Sequence, residues 1–264
     1  MSGLDRIQQA FEQARAAGRA ALMPYFTLGY PTPDDSVEVV AALAEAGADL
    51  IELGVPFSDP LADGPTIQHS TQVALEQGMS VARCLDLVRA IRARGVQQPL
   101  LLMGYINPVL AYGAEQYVRA ANQAGADGLI IPDLPLEESA SIEATCQANG
   151  LALVYLAAPT STPARLEALA RRTRGFLYLV SLTGVTGARQ ALSGGLAEFA
   201  ARARAATTVP LAIGFGISRP DQAAAVAQLA DGVIIGSALI QAVGKSDQPA
   251  QAAAAFLREI RAAL

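Results

Sequence analysis

Lysine and histidine are almost missing from this sequence, and their scarcity limits the chemistry that its side chains can perform. Among 264 residues there is one histidine, His69, and one lysine, Lys245, and tryptophan does not occur. Lys245 lies in a polar stretch beyond the last apolar run, so a Schiff-base lysine on a buried strand is excluded. One histidine cannot build a zinc site with several histidine ligands. We interpret His69, in the helix-like stretch 66–75, as a surface or interface residue.

Cysteine is equally scarce. Cys84 and Cys146 lie far apart, each in a helix-like segment, which is typical of packed, reduced thiols in a cytoplasmic protein. No histidine lies near either cysteine in sequence to activate it as a nucleophile, although distance along the chain does not decide distance in space. Acid and base chemistry is therefore assigned to carboxylates.

The chain also has little charge. Charged residues make up 16% of it, the formal net charge is -5, and no basic run occurs. A nucleic-acid surface or an anionic-membrane patch needs such a basic run. The N-terminus lacks the apolar segment of a signal peptide, and no stretch has the roughly 18 apolar residues of a membrane span. We expect a cytoplasmic protein whose partners are small molecules or proteins, with no metal site.

Short apolar runs alternate with longer, alanine-rich segments of helical periodicity along the whole chain. Runs that are apolar at every position are typical of parallel strands buried on both faces. The eight runs occupy 21–27, 49–54, 99–105, 127–133, 151–157, 175–181, 210–216 and 231–237. The helices predicted between them occupy 34–46, 80–95, 115–124, 137–149, 163–173, 193–206, 219–228 and 248–263.

Eight strand–helix units in a chain of this length, 52% apolar, predict an α/β fold, a (β/α)₈ TIM barrel, as a single domain over residues 1–264. The first 18 residues predict an extra N-terminal helix that plugs the bottom of the barrel. Asp34 and Ser193 are predicted N-caps, and Gly47, Gly125 and Gly150 are predicted to follow helix ends.

Two connections, 55–79 and 182–192, are longer than a barrel requires. Both follow the carboxyl end of a predicted strand, the face on which barrel enzymes place their active sites. Long connections in a compact domain are usually functional. We therefore expect functional residues in both.

Two carboxylates lie where catalysis is expected. Glu52 interrupts the apolar run 49–54, so its side chain must point into the barrel mouth or form an ion pair across the barrel. Burial raises the pKa of a carboxyl group, as proton transfer near neutral pH requires. Asp63 follows in the loop SDPLADGP, whose prolines and glycine hold it in a turn. Alone it is a turn aspartate, but beside Glu52 it forms an acid–base pair.

Glycines end the last two predicted strands. GFGIS (214–218) and GSAL (236–239) each place glycine just before a helix, where free N–H groups and the helix dipole hold an anion. The simplest alternative is that these glycines only make the turns. Loops after strands seven and eight are the common phosphate site of barrels, so the pattern favours a phosphate-binding site.

Seven strings follow one another along the chain, and together they resemble a known family. They read PYFTLGYPTPD, LIELGVPFSDPLADGPTIQ, GYINPV, GLIIPDLPLEES, GVTG, GFGIS and IIGSALI. In this order they are similar to the alpha subunit family of tryptophan synthase, from about residue 4 to the C-terminus. The string ELGVPFSDPLADGPTIQ is highly specific, whereas GFGIS or IIGSA alone fits many phosphate-binding barrels.

The resemblance implies a lyase that splits indole-3-glycerol phosphate into indole and glyceraldehyde 3-phosphate by a retro-aldol reaction. It assigns catalysis to Glu52, which would move protons at the glycerol hydroxyl and the indole ring carbon, and to Asp63, which would hydrogen-bond the indole N–H. It also assigns substrate binding to Tyr25, Tyr105, Tyr178, Thr186, Gly187, Phe215, Gly216, Gly236 and Ser237. At two positions this chain differs from many members of the family. Tyr25 stands where they have phenylalanine, and Leu182 stands where they have arginine.

The resemblance further implies a protein partner. The family's alpha subunit forms an α₂β₂ heterotetramer with a beta subunit that carries pyridoxal phosphate and receives indole through a tunnel. We therefore expect a beta subunit as partner. Pyridoxal phosphate is expected on that subunit, and no cofactor is expected in this chain.

Three other functions are compatible with parts of the pattern. A stand-alone indole-3-glycerol phosphate lyase that releases free indole would share the site. A phosphate-binding barrel isomerase is disfavoured by the strings around Glu52 and Asp63. A degenerate barrel kept for binding alone would have lost a carboxylate or a phosphate glycine, and none is lost.

Overall fold

The computed structural model describes residues 1–180, 192–214 and 216–264, with the side chains of 192–194 excepted. Eight parallel strands close into a barrel in the order of the chain, with the eighth paired to the first. The strands are β1 Ala21–Thr27, β2 Ile51–Gly54, β3 Leu100–Met103, β4 Gly128–Ile130, β5 Ala152–Ala157, β6 Leu177–Val180, β7 Leu211–Gly214 and β8 Gly232–Ile235. The predicted (β/α)₈ TIM barrel is confirmed.

Helices surround the barrel and also cover its bottom. They are α1 Gly3–Ala16, α2 Pro33–Glu45, α3 Pro65–Glu76, α4 Val81–Ala93, α5 Ile106–Tyr112, α6 Ala114–Ala124, α7 Ala140–Ala148, α8 Pro163–Arg172, α9 Leu192–Ala206, α10 Pro220–Ala227, α11 Ser237–Gly244 and α12 Pro249–Arg261. A 3₁₀ turn, Leu136–Glu138, precedes α7. None of these helices is long and apolar enough to cross a membrane.

The extra N-terminal helix is confirmed as a plug. Ile7 and Phe11 of α1 are buried in one apolar cluster with inward-facing residues of the barrel, among them Met23 and Leu101. The ring centroids of Phe11 and Phe176 lie 5.7 Å apart. Burial of large aromatic and aliphatic side chains is the main favourable term in folding, so α1 stabilises the bottom of the barrel.

Some predicted boundaries were wrong. The connection 55–79 contains α3, which confirms the helix-like stretch 66–75 but begins one residue earlier, at Pro65, whose fixed φ and missing N–H suit the first position of a helix. For the same reason α2 begins at Pro33, so its N-cap is Thr32, which accepts a hydrogen bond from the Asp35 N–H, and not Asp34. The segment 137–149 divides into the 3₁₀ turn and α7.

Helix α5 was not predicted. A helix was expected directly after the glycine of GSAL, which α11 confirms, but its range was missing from the predicted helices. Other expectations about helix ends and thiols are confirmed: Gly47, Gly125 and Gly150 take positive φ after helices, and Cys84 and Cys146 are buried, free thiols. The connection 182–192 lies almost wholly outside the described residues, and so does the side chain of Ser193.

Three aspartates at the bottom of the barrel each join two neighbouring strands. Asp49, Asp127 and Asp231 lie one or two residues before strands and accept the backbone N–H of Leu22, Leu100 and Leu211, each at 2.8 Å. The same carboxylates pair with arginines of the N-terminal segment, as in Arg6–Asp127 at 3.4 Å, Arg15–Asp231 at 3.6 Å and Arg19–Asp49 at 2.7 Å. The pairs of Arg6 and Arg15 therefore attach α1 to the strands that it covers, and the pair of Arg19 attaches the segment between α1 and β1.

We expect Asp127→Ala to destabilise the protein by about 3–5 kcal/mol, because Asp127 is buried and its loss leaves the charge of the Arg92 guanidinium, 2.5 Å away, without its carboxylate partner. Chemical denaturation followed by circular dichroism measures this difference. Asp86→Ala is the matched control, since its pair with Arg89 is exposed and should change stability by less than about 1 kcal/mol. Equal effects of the two variants would contradict this account.

Candidate active site

Glu52 occupies the inside of the barrel. It lies in β2 opposite Tyr25 of β1 on one side and Leu101 of β3 on the other. Its side chain is fully buried, and neither carboxylate oxygen has a hydrogen-bond partner within the part of the chain that the structure describes. No ion pair to Glu52 is found among the described residues, so the alternative of a structural ion pair is not supported.

Burial controls the protonation of Glu52. Removal from water penalises the charged form and raises the pKa of this carboxyl from 4.5 to about 8. At neutral pH Glu52 is therefore largely protonated. Such a group is able to donate a proton and then, as a carboxylate, to accept one.

Asp63 lies in the loop that follows β2 and is held there by its own backbone. Its N–H donates to the Pro60 carbonyl at 3.0 Å, and its carbonyl accepts from the Gln68 side chain at 2.8 Å. Burial raises the pKa of the Asp63 carboxyl to about 6, and a hydrogen bond with Tyr105 opposes the shift. At neutral pH Asp63 is therefore mostly ionised, in contrast to Glu52.

Tyr25 and Tyr178 face the same space, and two strand-end glycines make room for them. A Cβ atom at Gly54 would lie 2.1 Å from the Tyr25 hydroxyl, and one at Gly214 would lie 2.4 Å from the Tyr178 hydroxyl. Burial and the nearby carboxylates raise the pKa of both tyrosines, so both hydroxyls stay protonated and are able to donate hydrogen bonds. The structure therefore brings both tyrosines to the two carboxylates.

Tyr105 closes this side of the site. It is buried directly before α5, and its hydroxyl accepts the Ala62 N–H at 3.0 Å. Its ring centroid lies 5.5 Å from that of Phe57. Burial and the Asp63 charge raise the pKa of Tyr105, so its hydroxyl also remains protonated.

A cavity of about 400 Å³ opens beside these groups. The predicted residues Tyr25, Tyr178, Gly216, Gly236 and Ser237 all line it. Gly216 has φ 72°, a backbone conformation that glycine adopts readily, and Ser237 begins α11, whose first N–H groups receive no side-chain cap. Uncapped N–H groups at a helix N-terminus favour an anion.

The structure also adds cavity residues that sequence reasoning missed. Thr66 and Ile67 come from the first turn of α3, Ser218 from the connection before α10, and Gln241 from α11. A proline directly after Asp63 and Gly64 was a signal for the start of α3, whereas no sequence signal indicated Gln241.

Other predicted residues lie elsewhere. Thr186, Gly187 and Phe215 fall outside the described residues. His69 is exposed on α3, as predicted, and its ring centroid lies 6.5 Å from that of Tyr30. In the described ranges, no group of three or more histidine, cysteine, aspartate or glutamate residues could hold a metal ion.

Fold and site together define a class of protein, the (β/α)₈-barrel enzymes with titratable carboxyl groups at the carboxyl ends of the strands. Comparisons with known proteins then give the family. The family model "Tryptophan synthase alpha chain" matches residues 11–263. The tryptophan synthase alpha chain of Chloroflexus aurantiacus is 51% identical over 263 residues, which cover 99% of each chain. That of Roseiflexus sp. is 48% identical over 98% of this chain and 100% of the relative.

Solved structures agree with these sequence relatives. A Mycobacterium tuberculosis tryptophan synthase structure has a TM-score of 0.90 at 41% identity and covers 98% of this chain and 97% of its own. The tryptophan synthase alpha subunit of Legionella pneumophila has a TM-score of 0.90 at 38% identity, with 100% and 98% covered. This chain belongs to the tryptophan synthase alpha chain family. It is a lyase of tryptophan biosynthesis that cleaves indole-3-glycerol phosphate to indole and glyceraldehyde 3-phosphate.

The raised pKa of Glu52 predicts how stability depends on pH. In the unfolded chain Glu52 loses its proton near pH 4.5, whereas in the folded protein it keeps it until about pH 8. Its contribution is therefore fully present below pH 4.5 and is lost as pH rises through 8. We expect Glu52→Gln to be more stable than the wild type at pH 9, by roughly 2–5 kcal/mol, with little difference at pH 4.5.

Denaturant unfolding of both proteins at several pH values measures this dependence. Glu259→Gln, at an exposed position on α12, is the matched control and should follow the wild type at every pH. A constant difference between Glu52→Gln and the wild type from pH 4.5 to pH 9 would show that Glu52 is not desolvated.

Proposed function

We propose that Glu52 and Asp63 carry out the cleavage as a pair whose protonation states differ at neutral pH. The observation that supports this assignment is their separation in pKa, to about 8 for Glu52 and about 6 for Asp63, at one mouth of the barrel. When two carboxyl groups have separated pKa values, one is protonated and acts as a proton donor while the other is ionised and stabilises positive charge.

The reaction first needs a proton on the indole ring. Protonated Glu52 supplies it to the ring carbon that carries the glycerol chain, and the resulting positive charge spreads to the ring nitrogen. Ionised Asp63 accepts a hydrogen bond from the indole N–H and stabilises that cation. Because the site is largely desolvated, the attraction between carboxylate and cation is stronger than it would be in water.

Cleavage then returns the proton. Glu52, now a carboxylate, removes the proton of the adjacent glycerol hydroxyl, whose O–H electron pair forms the aldehyde C=O. The carbon–carbon bond breaks, and its electrons return to the ring and neutralise the cation. Products are indole and glyceraldehyde 3-phosphate, and Glu52 is again protonated. No metal or cofactor of this chain takes part in any step.

The remaining residues bind the substrate in this proposal. Gly216, Gly236 and Ser237 hold the phosphate with backbone N–H groups, and the aromatic rings of Tyr25, Tyr105 and Tyr178 surround the indole. By their match to the family, Thr186 is assigned to substrate binding, Gly187 to the phosphate and Phe215 to the indole. Backbone N–H groups of this kind explain how a protein of net charge -5 binds a phosphate ester without a lysine cluster.

We further propose that the enzyme works in an α₂β₂ complex with a beta subunit, which holds pyridoxal phosphate. Supporting this, large apolar side chains are exposed near the mouth: Leu61, in the loop of Asp63, is 94% exposed, and Leu110 of α5 is 58% exposed. Exposed apolar groups near a functional opening are typical of a protein interface. The comparisons give no support to a stand-alone lyase, because the relatives described above are named for tryptophan synthase.

Two free, buried thiols suit a reducing compartment. We therefore propose a cytoplasmic enzyme, with residues 1–264 acting as a single domain.

Glu52→Gln tests the first role. The amide keeps the shape of the side chain but cannot exchange a proton, so we expect indole formation to fall by at least about 10²-fold. Indole release from indole-3-glycerol phosphate measures the rate, and Glu259→Gln should retain wild-type turnover. Retention of a tenth of wild-type turnover by the folded variant would remove Glu52 from this role.

Asp63→Asn tests the second role. We expect kcat to fall by more than about tenfold while KM rises less, because the carboxylate acts mainly on the transition state and the phosphate is held by other loops. Steady-state kinetics on the same substrate separate the two constants. Asp86→Asn, on the exposed face of α4, is the control. A normal kcat with a raised KM would make Asp63 a ground-state contact only.

A further inference from the structure

Gln241 and Thr66 form a direct link between the two halves of the active site. The side-chain amide of Gln241 donates a hydrogen bond of 2.9 Å to the Thr66 hydroxyl, across 175 residues of sequence. Both side chains line the cavity of about 400 Å³. Neither residue has a role in the mechanism proposed above.

On the Thr66 side, the link ends at the segment that carries Asp63. Thr66 is the second residue of α3, and Asp63 lies two residues before that helix begins. The Asp63 carbonyl is bound by Gln68, two residues further along the same helix, at 2.8 Å. Asp63 therefore moves with the first turn of α3.

On the Gln241 side, the link ends at the helix assigned to the phosphate. Gln241 is the fifth residue of α11, whose first residue is Ser237. The N-cap of this helix, Gly236, offers no side-chain hydrogen bond, and neither does Gly64, the N-cap of α3. Since neither helix start is fixed by its own cap, a contact between the two helices has more influence on how they are placed.

We propose that Gln241 is a positioning residue, which through Thr66 sets the place of the Asp63 carboxylate relative to the bound phosphate. This inference rests on the proposed role of Asp63. Phosphate and indole are parts of one substrate, so the distance between their binding groups fixes where the indole N–H meets Asp63. An error of an ångström in such a distance lowers the rate without removing any reacting group.

The test is a double-mutant cycle with Gln241→Leu, Thr66→Val and the double variant. Each single substitution removes one partner of the same hydrogen bond, so we expect each to lower kcat for indole-3-glycerol phosphate by about two- to tenfold. The double variant should lose no more than the larger single loss, because the bond is broken only once. KM should change less than twofold, since the backbone groups assigned to the phosphate remain.

Several controls separate positioning from other roles. Gln251→Leu, at an exposed position on α12, should leave kcat and KM at wild-type values. Thermal denaturation of each variant shows whether the fold is intact, and a merely structural role would lower the melting temperature without this division between kcat and KM.

Three results would overturn the inference. If each single variant lowers kcat by less than twofold, the hydrogen bond between Gln241 and Thr66 does not affect the reaction. If the two single losses multiply in the double variant, the two residues act independently. A loss confined to KM would make Gln241 a substrate contact. If the proposed role of Asp63 is wrong, Asp63→Asn retains activity, whatever the result of the double-mutant cycle. Failure of the proposed function and failure of this inference are therefore distinguishable.

Discussion

The structure depends on the closure of eight parallel strands, because closure decides which side chains leave water. β1 is hydrogen-bonded to β8 through Ala21 and Gly232, so no strand of the ring is left with an unpaired edge. In a closed ring, alternate residues point inward, and an inward residue is surrounded by the other strands. Glu52 is such a residue, and its pKa near 8 is a consequence of the barrel itself.

The same closure brings all eight strand ends to one mouth. Asp63, in a loop above the ring, is less deeply buried than Glu52, which accounts for the smaller rise of its pKa. Depth keeps one carboxyl protonated, whereas shallower burial and a hydrogen bond with Tyr105 leave the other ionised. A substrate that needs a proton at one atom and a negative charge at another finds both groups beside the tyrosines that line the cavity, Tyr25 and Tyr178.

Much of this organisation could be predicted from the sequence, because buried parallel strands are apolar on both faces and Glu52 interrupts one of them. The limit is shown by α5 and α11, whose ranges were absent from the predicted helices. The apolar run at 231–237 continues into α11, and periodicity does not separate a short buried strand from the helix that follows it. α5 has only seven residues and contains a proline, so its pattern is weak. The link between Gln241 and Thr66 was out of reach, because it joins residues 175 positions apart through tertiary structure.

The fit between Tyr25 and Gly54 has an evolutionary consequence. The hydroxyl of one residue occupies the volume that a methyl group on the other would need, at a separation of 2.1 Å. Neither position is therefore free to vary by itself: alanine at 54 becomes acceptable only in a lineage where the ring at 25 has already lost its hydroxyl or moved. Tyr178 and Gly214 repeat the arrangement across the barrel, with 2.4 Å between the same pair of groups. The order in which substitutions accumulate around this cavity is thus constrained, and the two pairs should show epistasis, each as a unit.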